Sequence, residues 1–208
     1  MLKIERIQTG VIKENCYLIY NDTNLLIIDP GADAQRIAAL IEKTRTTPVA
    51  ILLTHTHYDH IGAVEELRHL YKIPVYVSPL EQEWLSDPTL NLSGLGRHDD
   101  IADIIVQPAD VEFELKEYEL GGMRFNVVPT PGHSIGSLSF IFDDFVITGD
   151  ALFRGSIGRT DLHTGNLEQL LDSIQTYLFT LPDEFPAYSG HGEATTIGHE
   201  KRTNPFFN

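Results

Sequence analysis

Four short, mostly apolar runs constrain this 208-residue chain most, because each leads through small or turn-forming residues to a histidine or an aspartate. Val49-Ala50-Ile51-Leu52-Leu53 runs into Thr54-His55-Thr56-His57-Tyr58-Asp59-His60. The stretch Phe125 to Val128 precedes Thr130-Pro131-Gly132-His133-Ser134. Phe145 to Thr148 leads into Gly149-Asp150, and Ala187 to Ser189 into Gly190-His191-Gly192. Such runs are too short for helices, and turn-forming residues bound them, so they read as buried strands. A rigid strand with a polar residue at its end is a common way for a scaffold to present a functional group.

The intervening sequence supplies the helices and the remaining strands. Residues 2–8 and 15–20 read as strands, followed by a turn at 21–24 and the buried-type strand Leu25-Leu26-Ile27-Ile28, which ends at Asp29-Pro30-Gly31. Asp33 is the expected N-cap of a helix whose Ala34, Ile37, Ala38 and Ile41 share one face. Val64, Leu67, Leu70 and Tyr71 mark a second helix, residues 74–77 a strand, and 80–86 a short helix. Residues 87–109 read mostly as loop. Val111 to Leu120 and Met123 to Val128 are expected to form a hairpin around Gly121-Gly122. Strands at 138–142 and 145–148 follow. Then comes a helix with a capping box, Asn166 with Gln169, and a buried face of Leu167, Leu170, Leu171, Ile174 and Leu178. This is a mixed α/β chain whose economical packing is two sheets face to face with helices outside.

The cluster at 55–60 holds three of the chain's nine histidines and a carboxylate. On an extended chain the side chains of 55, 57 and 59 point the same way, and His60 projects elsewhere. Neutral imidazole and carboxylate are the usual ligands of zinc, iron and manganese, so one such cluster can feed two adjacent ions. With His133, Asp150 and His191 the inventory reaches five histidines and two aspartates.

The bulk composition narrows the partners. A formal net charge of -15 argues against nucleic acid, which requires a basic face. The single cysteine, Cys16, has no partner for an internal disulfide. No run has membrane-span length and the N-terminus has no signal-like apolar core, so a cytoplasmic, soluble protein without a membrane partner is expected. The oligomeric state is not legible.

The succession HxHxDH, GH, GD and GHG resembles the metallo-β-lactamase superfamily over nearly the whole chain. The resemblance implies an αββα sandwich of two mixed β-sheets with helices on the outer faces. It also implies one metal held by His55, His57 and His133, a second held by Asp59, His60 and His191, and Asp150 as the bridge. Two divalent ions are expected, zinc foremost, with iron or manganese as alternatives. Asp59 has a further catalytic role open to it, orienting the hydroxide.

Within the superfamily the chain is similar to the glyoxalase II group, which hydrolyses S-2-hydroxyacylglutathione thioesters. The matching stretches are Asn15-Cys16-Tyr17-Leu18, Asp29-Pro30-Gly31, Thr130 to Ser134, Thr148 to Phe153 and Glu200 to Phe206. The implied protein is a compact single domain over 1–208, without the helical glutathione-binding region of full-length members. It also carries Arg159 and Asp161 where those members have lysine and tyrosine. The expected substrate is a small thioester. Arg154, Arg159, Lys201 and Arg202 are candidates for its carboxylate, and Tyr58 for either pocket wall or packing. The rival reading is a persulfide dioxygenase using one iron, a group that shares HxHxDH and a Gly-Arg-Thr-Asp loop like residues 158–161.

Overall fold

A computed structural model describes residues 1–96 and 102–208. Of the expected loop at 87–109, residues 97–101 lie outside the described residues; the remainder carries turns and no helix or strand. The chain divides into two compact units, Met1–Phe113 with Glu119–Met123, and Glu114–Tyr118 with Arg124–Asn208.

The first unit is built on a six-stranded mixed sheet. Its strands are β1 (Lys3–Thr9), β2 (Glu14–Tyr20), β3 (Asn24–Ile28), β4 (Thr47–Leu52), β5 (Val75–Val77) and β6 (Val111–Glu112), hydrogen-bonded in that order. The first three are antiparallel, and β3 to β6 are parallel. Parallel neighbours need crossovers, which helices α1 (Ala34–Thr44), α2 (Tyr58–Ile61) and α3 (Val64–Tyr71) help to make. Alternate strand residues Cys16, Leu18, Leu25, Ile27, Ile51, Val75 and Val77 pack with Ile37 and Ile41 of α1 and Val64 and Leu67 of α3. The other parity, Tyr17, Ile19, Leu26, Ile28, Ala50 and Leu52, is also buried. Burial on both faces explains why these strands read as continuous apolar runs rather than as alternation.

Three expectations shift here. Asp33 stands at the N-cap of α1 but in a left-handed conformation without a side-chain cap. Its carboxylate instead accepts from the Gly10 N–H (3.1 Å) and the Arg36 guanidinium (3.0 Å). The expected arm Val111 to Leu120 is divided. Val111–Glu112 continues the first sheet as β6, pinned where the Asp110 and Phe113 N–H groups donate to the carbonyls of Val75 and Val77. Only β7 (Glu117–Leu120) forms the hairpin with β8 (Met123–Pro129), through Gly121 and Gly122, both at positive φ. The helix expected at 80–86 is two 3₁₀ turns, Pro79–Glu81 and Glu83–Ser86.

The second sheet runs β14 (Thr195–Thr196), β13 (Pro186–Ser189), β10 (Val146–Gly149), β9 (Leu138–Ile141), β8, β7, with β10 and β13 parallel. A two-stranded ribbon, β11 (Leu152–Phe153) with β12 (Ser156–Ile157), follows β10. Helix α4 (Leu167–Ser173) starts at Asn166, whose side chain accepts from the Gln169 N–H, and continues as a π-helical turn, Ile174–Leu178. Its Leu170, Ile174 and Leu178 pack with Val146, Ala151, Leu152 and Ala187.

The last helix, α5 (Ile197–Thr203), carries the terminal segment singled out in the sequence. Glu200 is fully buried there and accepts from the Gly155 N–H (2.9 Å), Asn204 Nδ2 (2.8 Å) and the Thr195 hydroxyl. Asn204 also donates to the Ser156 carbonyl (3.0 Å). This one carboxylate therefore ties α5 to the β11–β12 turn. Glu200→Ala leaves those donors short of an acceptor, at about 1–3 kcal/mol for each that water does not reach. Urea titration of wild type and variant is expected to show a loss of stability of that size. Glu200→Gln, which keeps the volume, should lose less.

Candidate functional site

In the first unit, β4 delivers Thr54 to His57 as an extended segment, and α2 begins at Tyr58 with His57 as its N-cap. Asp59 therefore does not continue the strand alternation expected from the sequence. The chain turns because the Tyr58 N–H donates to the Asn91 carbonyl (2.8 Å) and the His60 N–H to the His57 carbonyl (2.9 Å). Asp59 and His60 are presented by a helical turn, and His55 and His57 by the strand end. The turn brings the group together all the same. The His55 ring centroid lies 4.7 Å from that of His57 and 4.1 Å from that of His60, and His60 Nε2 lies 3.5 Å from Asp59 Oδ2.

A second layer of buried groups holds these side chains. Asp29, at the end of β3, accepts from the Thr54 N–H (2.7 Å) and hydroxyl (2.6 Å), and its Oδ2 lies 3.0 Å from His60 Nδ1. Thr54 Oγ1 is also 3.1 Å from His55 Nδ1. Glu81 accepts from the Thr56 N–H (2.7 Å) and hydroxyl (2.9 Å). Trp84 stacks on the His57 ring at 6.3 Å. Glu14 accepts from the Thr9 hydroxyl at 2.6 Å, and its other oxygen is 3.9 Å from His60 Nδ1. Burial pushes the Glu14 carboxyl well above the ordinary range, against the opposing pull of His60.

In the second unit, His133 follows β8 in the Pro131–Gly132 turn, Asp150 follows β10, and His191 follows β13. Asp150 Oδ2 lies 3.5 Å from His133 Nε2 and 3.6 Å from His191 Nε2. His133 Nδ1 is 2.8 Å from the Arg159 carbonyl. The turn that carries His133 is fixed by Gly132, at φ 130°, where a Cβ would meet the Leu170 backbone at 2.4 Å.

The donor chemistry fits metal ions. An ion bound tetrahedrally at zinc–nitrogen distances of 2.0–2.1 Å has donor atoms about 3.4 Å apart. The Nε2–Oδ2 separations of 3.5 Å (His60–Asp59), 3.5 Å (His133–Asp150) and 3.6 Å (His191–Asp150) match that spacing. Asp29, His55 and His60 together offer ligand atoms within 4.8 Å of one another. With Nδ1 of His60 directed at a carboxylate and Nδ1 of His133 at a carbonyl, Nε2 is the nitrogen left to ligate, the usual arrangement behind a metal-binding histidine.

Sequence reading missed Asp29, Glu14, Glu81 and Trp84 as members of this site. Asp29 carried a signal, since it follows an apolar run just as Asp150 does. Glu81 carried none, because a buried glutamate on a 3₁₀ turn looks like surface. Tyr58, left between wall and packing, lines a cavity with Asp59. Three proposed carboxylate binders are occupied by the chain's own acids. Arg159 grips Asp161 through two bonds of 2.7 and 2.8 Å and holds its carboxyl down at about 2. Lys201 and Arg202 both bind Asp183. Arg154 is exposed beside a cavity lined by Thr195, Thr196 and His199.

Gly31 gives a sharp local test. A Cβ there would stand 1.6 Å from the Asp59 carbonyl oxygen, so Gly31→Ala must displace the Asp59–His60 turn. The expected cost is at least the roughly 1–3 kcal/mol of an overpacked site. A lowered melting temperature together with weaker metal retention in chelator competition is the expected result.

Known proteins share this architecture. The description of the metallo-β-lactamase superfamily matches residues 9–191. A probable metallo-hydrolase of Streptococcus pyogenes is 52% identical over 100% of this chain and 91% of its own length. Hydroxyacylglutathione hydrolase GloC of Haemophilus influenzae is 37% identical over 100% and 99%. Among solved structures, BLEG-1 B3 metallo-β-lactamase superposes with a TM-score of 0.94 at 42% identity, covering 99% of this chain and 100% of that one. A protein crystallised in a di-iron-bound form gives 0.84 at 37%, covering 97% and 99%. ETHE1 of Myxococcus xanthus gives 0.77 at 31%, covering 98% and 83%. Two mixed sheets with their helices, donor atoms at metal-ligand spacing, and similarity along whole chains agree: this protein belongs to the metallo-β-lactamase superfamily, among its metal-dependent hydrolases.

Proposed function

We propose that the chain hydrolyses thioesters with two bound divalent ions, one held by His55, His57 and His133 and the other by Asp59, His60 and His191, with Asp150 shared between them. The observation that carries this reading is the position of Asp150. A single carboxylate oxygen lies 3.5 and 3.6 Å from Nε2 of two histidines that the family pattern assigns to different ions. Bound at these residues, the ions would supply a hydroxide near neutral pH and polarise the substrate carbonyl.

The chain's own groups do the rest. Asp29 accepts at His60 Nδ1 and keeps Nε2 of that imidazole available. Asp59, 11% exposed and lining the adjacent cavity, would ligate and orient the hydroxide that the ions supply. A thiol leaving group, with a pKa of about 8.5, departs as the anion without an acid catalyst. No side chain is therefore required for that role.

Similarity to GloC supports a substrate of the S-2-hydroxyacylglutathione type. Zinc is the first choice of metal, and likeness to a di-iron protein supports iron as the alternative. The net charge of -15 suits a small-molecule substrate rather than nucleic acid. Among the described residues no helix is long and apolar enough to cross a membrane. We place the enzyme in the cytoplasm.

One observation favours a second reading. The Gly158–Asp161 loop, shared in pattern with persulfide dioxygenases that use one iron, is built onto His133 through the Arg159 carbonyl. Metal analysis combined with a panel of S-lactoylglutathione, a β-lactam and glutathione persulfide, each with and without oxygen, separates the possibilities. Anaerobic hydrolysis of the thioester with two metals per chain is the expected result. Oxygen uptake with the persulfide and no thioester turnover would overturn it.

A further inference from the structure

The first unit contains a cavity of about 330 Å³ that neither the metal ligands nor the family pattern accounts for. That is the lower end of the range for ligand pockets, roughly 300–1,000 Å³. Asp59 is the only proposed ligand in its wall, beside Tyr58. The remaining wall is largely aliphatic and comes from separate elements. Val11 and Ile12 belong to the β1–β2 turn, Ala32 and Ala34 to the start of α1, Ala63 to the α2–α3 junction, and Ile104 to the segment before β6.

Two features of this wall point to a ligand class. Val11 and Ile12 are 65% and 43% exposed, so large apolar side chains stand in the open at the cavity rather than in the core. The turn that holds them there is fixed: the Gly10 N–H donates to Asp33, and Asp33 is gripped in turn by Arg36. The charged groups among the described lining residues are all carboxylates, Asp33, Asp59 and Glu66, with no lysine, arginine or histidine. Asp33 is neutralised by Arg36 and Asp59 is a proposed metal ligand, so among the described lining residues Glu66 alone adds charge; with no cation to hold an anion such as glutathione, the wall suits an uncharged aliphatic group.

We propose that this cavity is the acyl pocket, taking the uncharged aliphatic chain of a thioester whose carbonyl is presented beside Asp59. The proposal rests on the thioesterase reading and sharpens it, because it makes acyl chain length the determinant of specificity.

The test uses the metal-loaded full chain and thioesters of N-acetylcysteamine, a neutral thiol, with acetyl, butyryl, hexanoyl and octanoyl groups. Burial of each methylene is expected to raise kcat/KM about fourfold until the cavity is filled. Val11→Asp, an exposed position, should flatten that slope by placing a charge in the wall. Ala32→Leu, at a half-buried lining position, should lower the octanoyl-to-acetyl ratio about tenfold or more, chiefly through KM. Equal kcat/KM along the series, or an unchanged slope in Val11→Asp, would overturn the proposal while leaving thioester hydrolysis intact. If no thioester is turned over at all, calorimetric binding of octanamide decides separately. Binding to wild type that weakens about tenfold in Val11→Asp supports an aliphatic pocket without the thioesterase reading. Absence of binding, or equal binding to both, removes the pocket as well.

Discussion

Asp150→Ala is expected to bind one metal ion per chain in place of two and to lose thioester hydrolysis by more than about a hundredfold, roughly 3 kcal/mol of barrier. The size follows from what the carboxylate does in the proposed centre. Its Oδ2 is at donor spacing from both His133 and His191, so its removal takes one donor from each ion at once. Hydroxide generation and carbonyl polarisation, each worth several kcal/mol, both depend on the ions. Asp150→Asn is the informative companion. It keeps the shape of the side chain and one oxygen, but loses the negative charge that balances two dications. A loss intermediate between wild type and alanine would assign part of the role to charge. Inductively coupled plasma metal counts alongside kcat/KM check both variants. Two metals and full activity in Asp150→Ala would remove the shared-ligand assignment.

Most of the residues proposed to ligate were legible in the sequence because they follow the same local rule. An apolar strand stops, and a histidine or aspartate stands in the turn after it. That rule needs only periodicity and turn chemistry, and it located His133, Asp150 and His191 without any knowledge of the fold. It failed on Asp59 for an equally local reason. The chain leaves extended geometry at Tyr58, and nothing in Thr-His-Tyr-Asp-His announces a helical turn that depends on a bond to Asn91, more than thirty residues away. The same distance problem hid the split of 111–120. Alternation reads Val111 and Glu112 as part of a hairpin arm, but the parallel edge of β5 captures them. Glu81 and Trp84 were illegible because their roles exist only once two 3₁₀ turns bring them against the 55–57 segment. Sequence thus offered the candidate donors, and tertiary structure chose the groups that hold them in place.

Asp29→Asn carries the largest effect expected from a residue outside the proposed ligand set. One carboxylate here serves three hydrogen-bonding atoms: the Thr54 N–H, the Thr54 hydroxyl and His60 Nδ1. The amide retains one accepting oxygen and turns the other acceptor into a donor, which faces either the Thr54 N–H or both the Thr54 hydroxyl and His60 Nδ1. Backbone strain does not explain the result in advance, because Asp29 sits at φ 47°, where asparagine is tolerated nearly as well as aspartate. If the aspartate orients His60 and raises its basicity, metal affinity should fall about 10–100-fold. The loss should concentrate in the ion that His60 helps hold, leaving the other in place. Chelator competition followed in two phases reads this directly, and melting of the metal-free protein supplies the control. A purely structural Asp29 would lower the melting temperature of the metal-free chain and leave relative affinity for the two ions unchanged. An orienting Asp29 separates the two phases while the metal-free melting curve moves little. Thr54→Val provides the cross-check. It removes the hydroxyl that bonds to Asp29 and lies beside His55 Nδ1, but leaves the Asp29–His60 contact intact. Its affinity loss should therefore fall on the ion assigned to His55, the opposite of the pattern for Asp29→Asn.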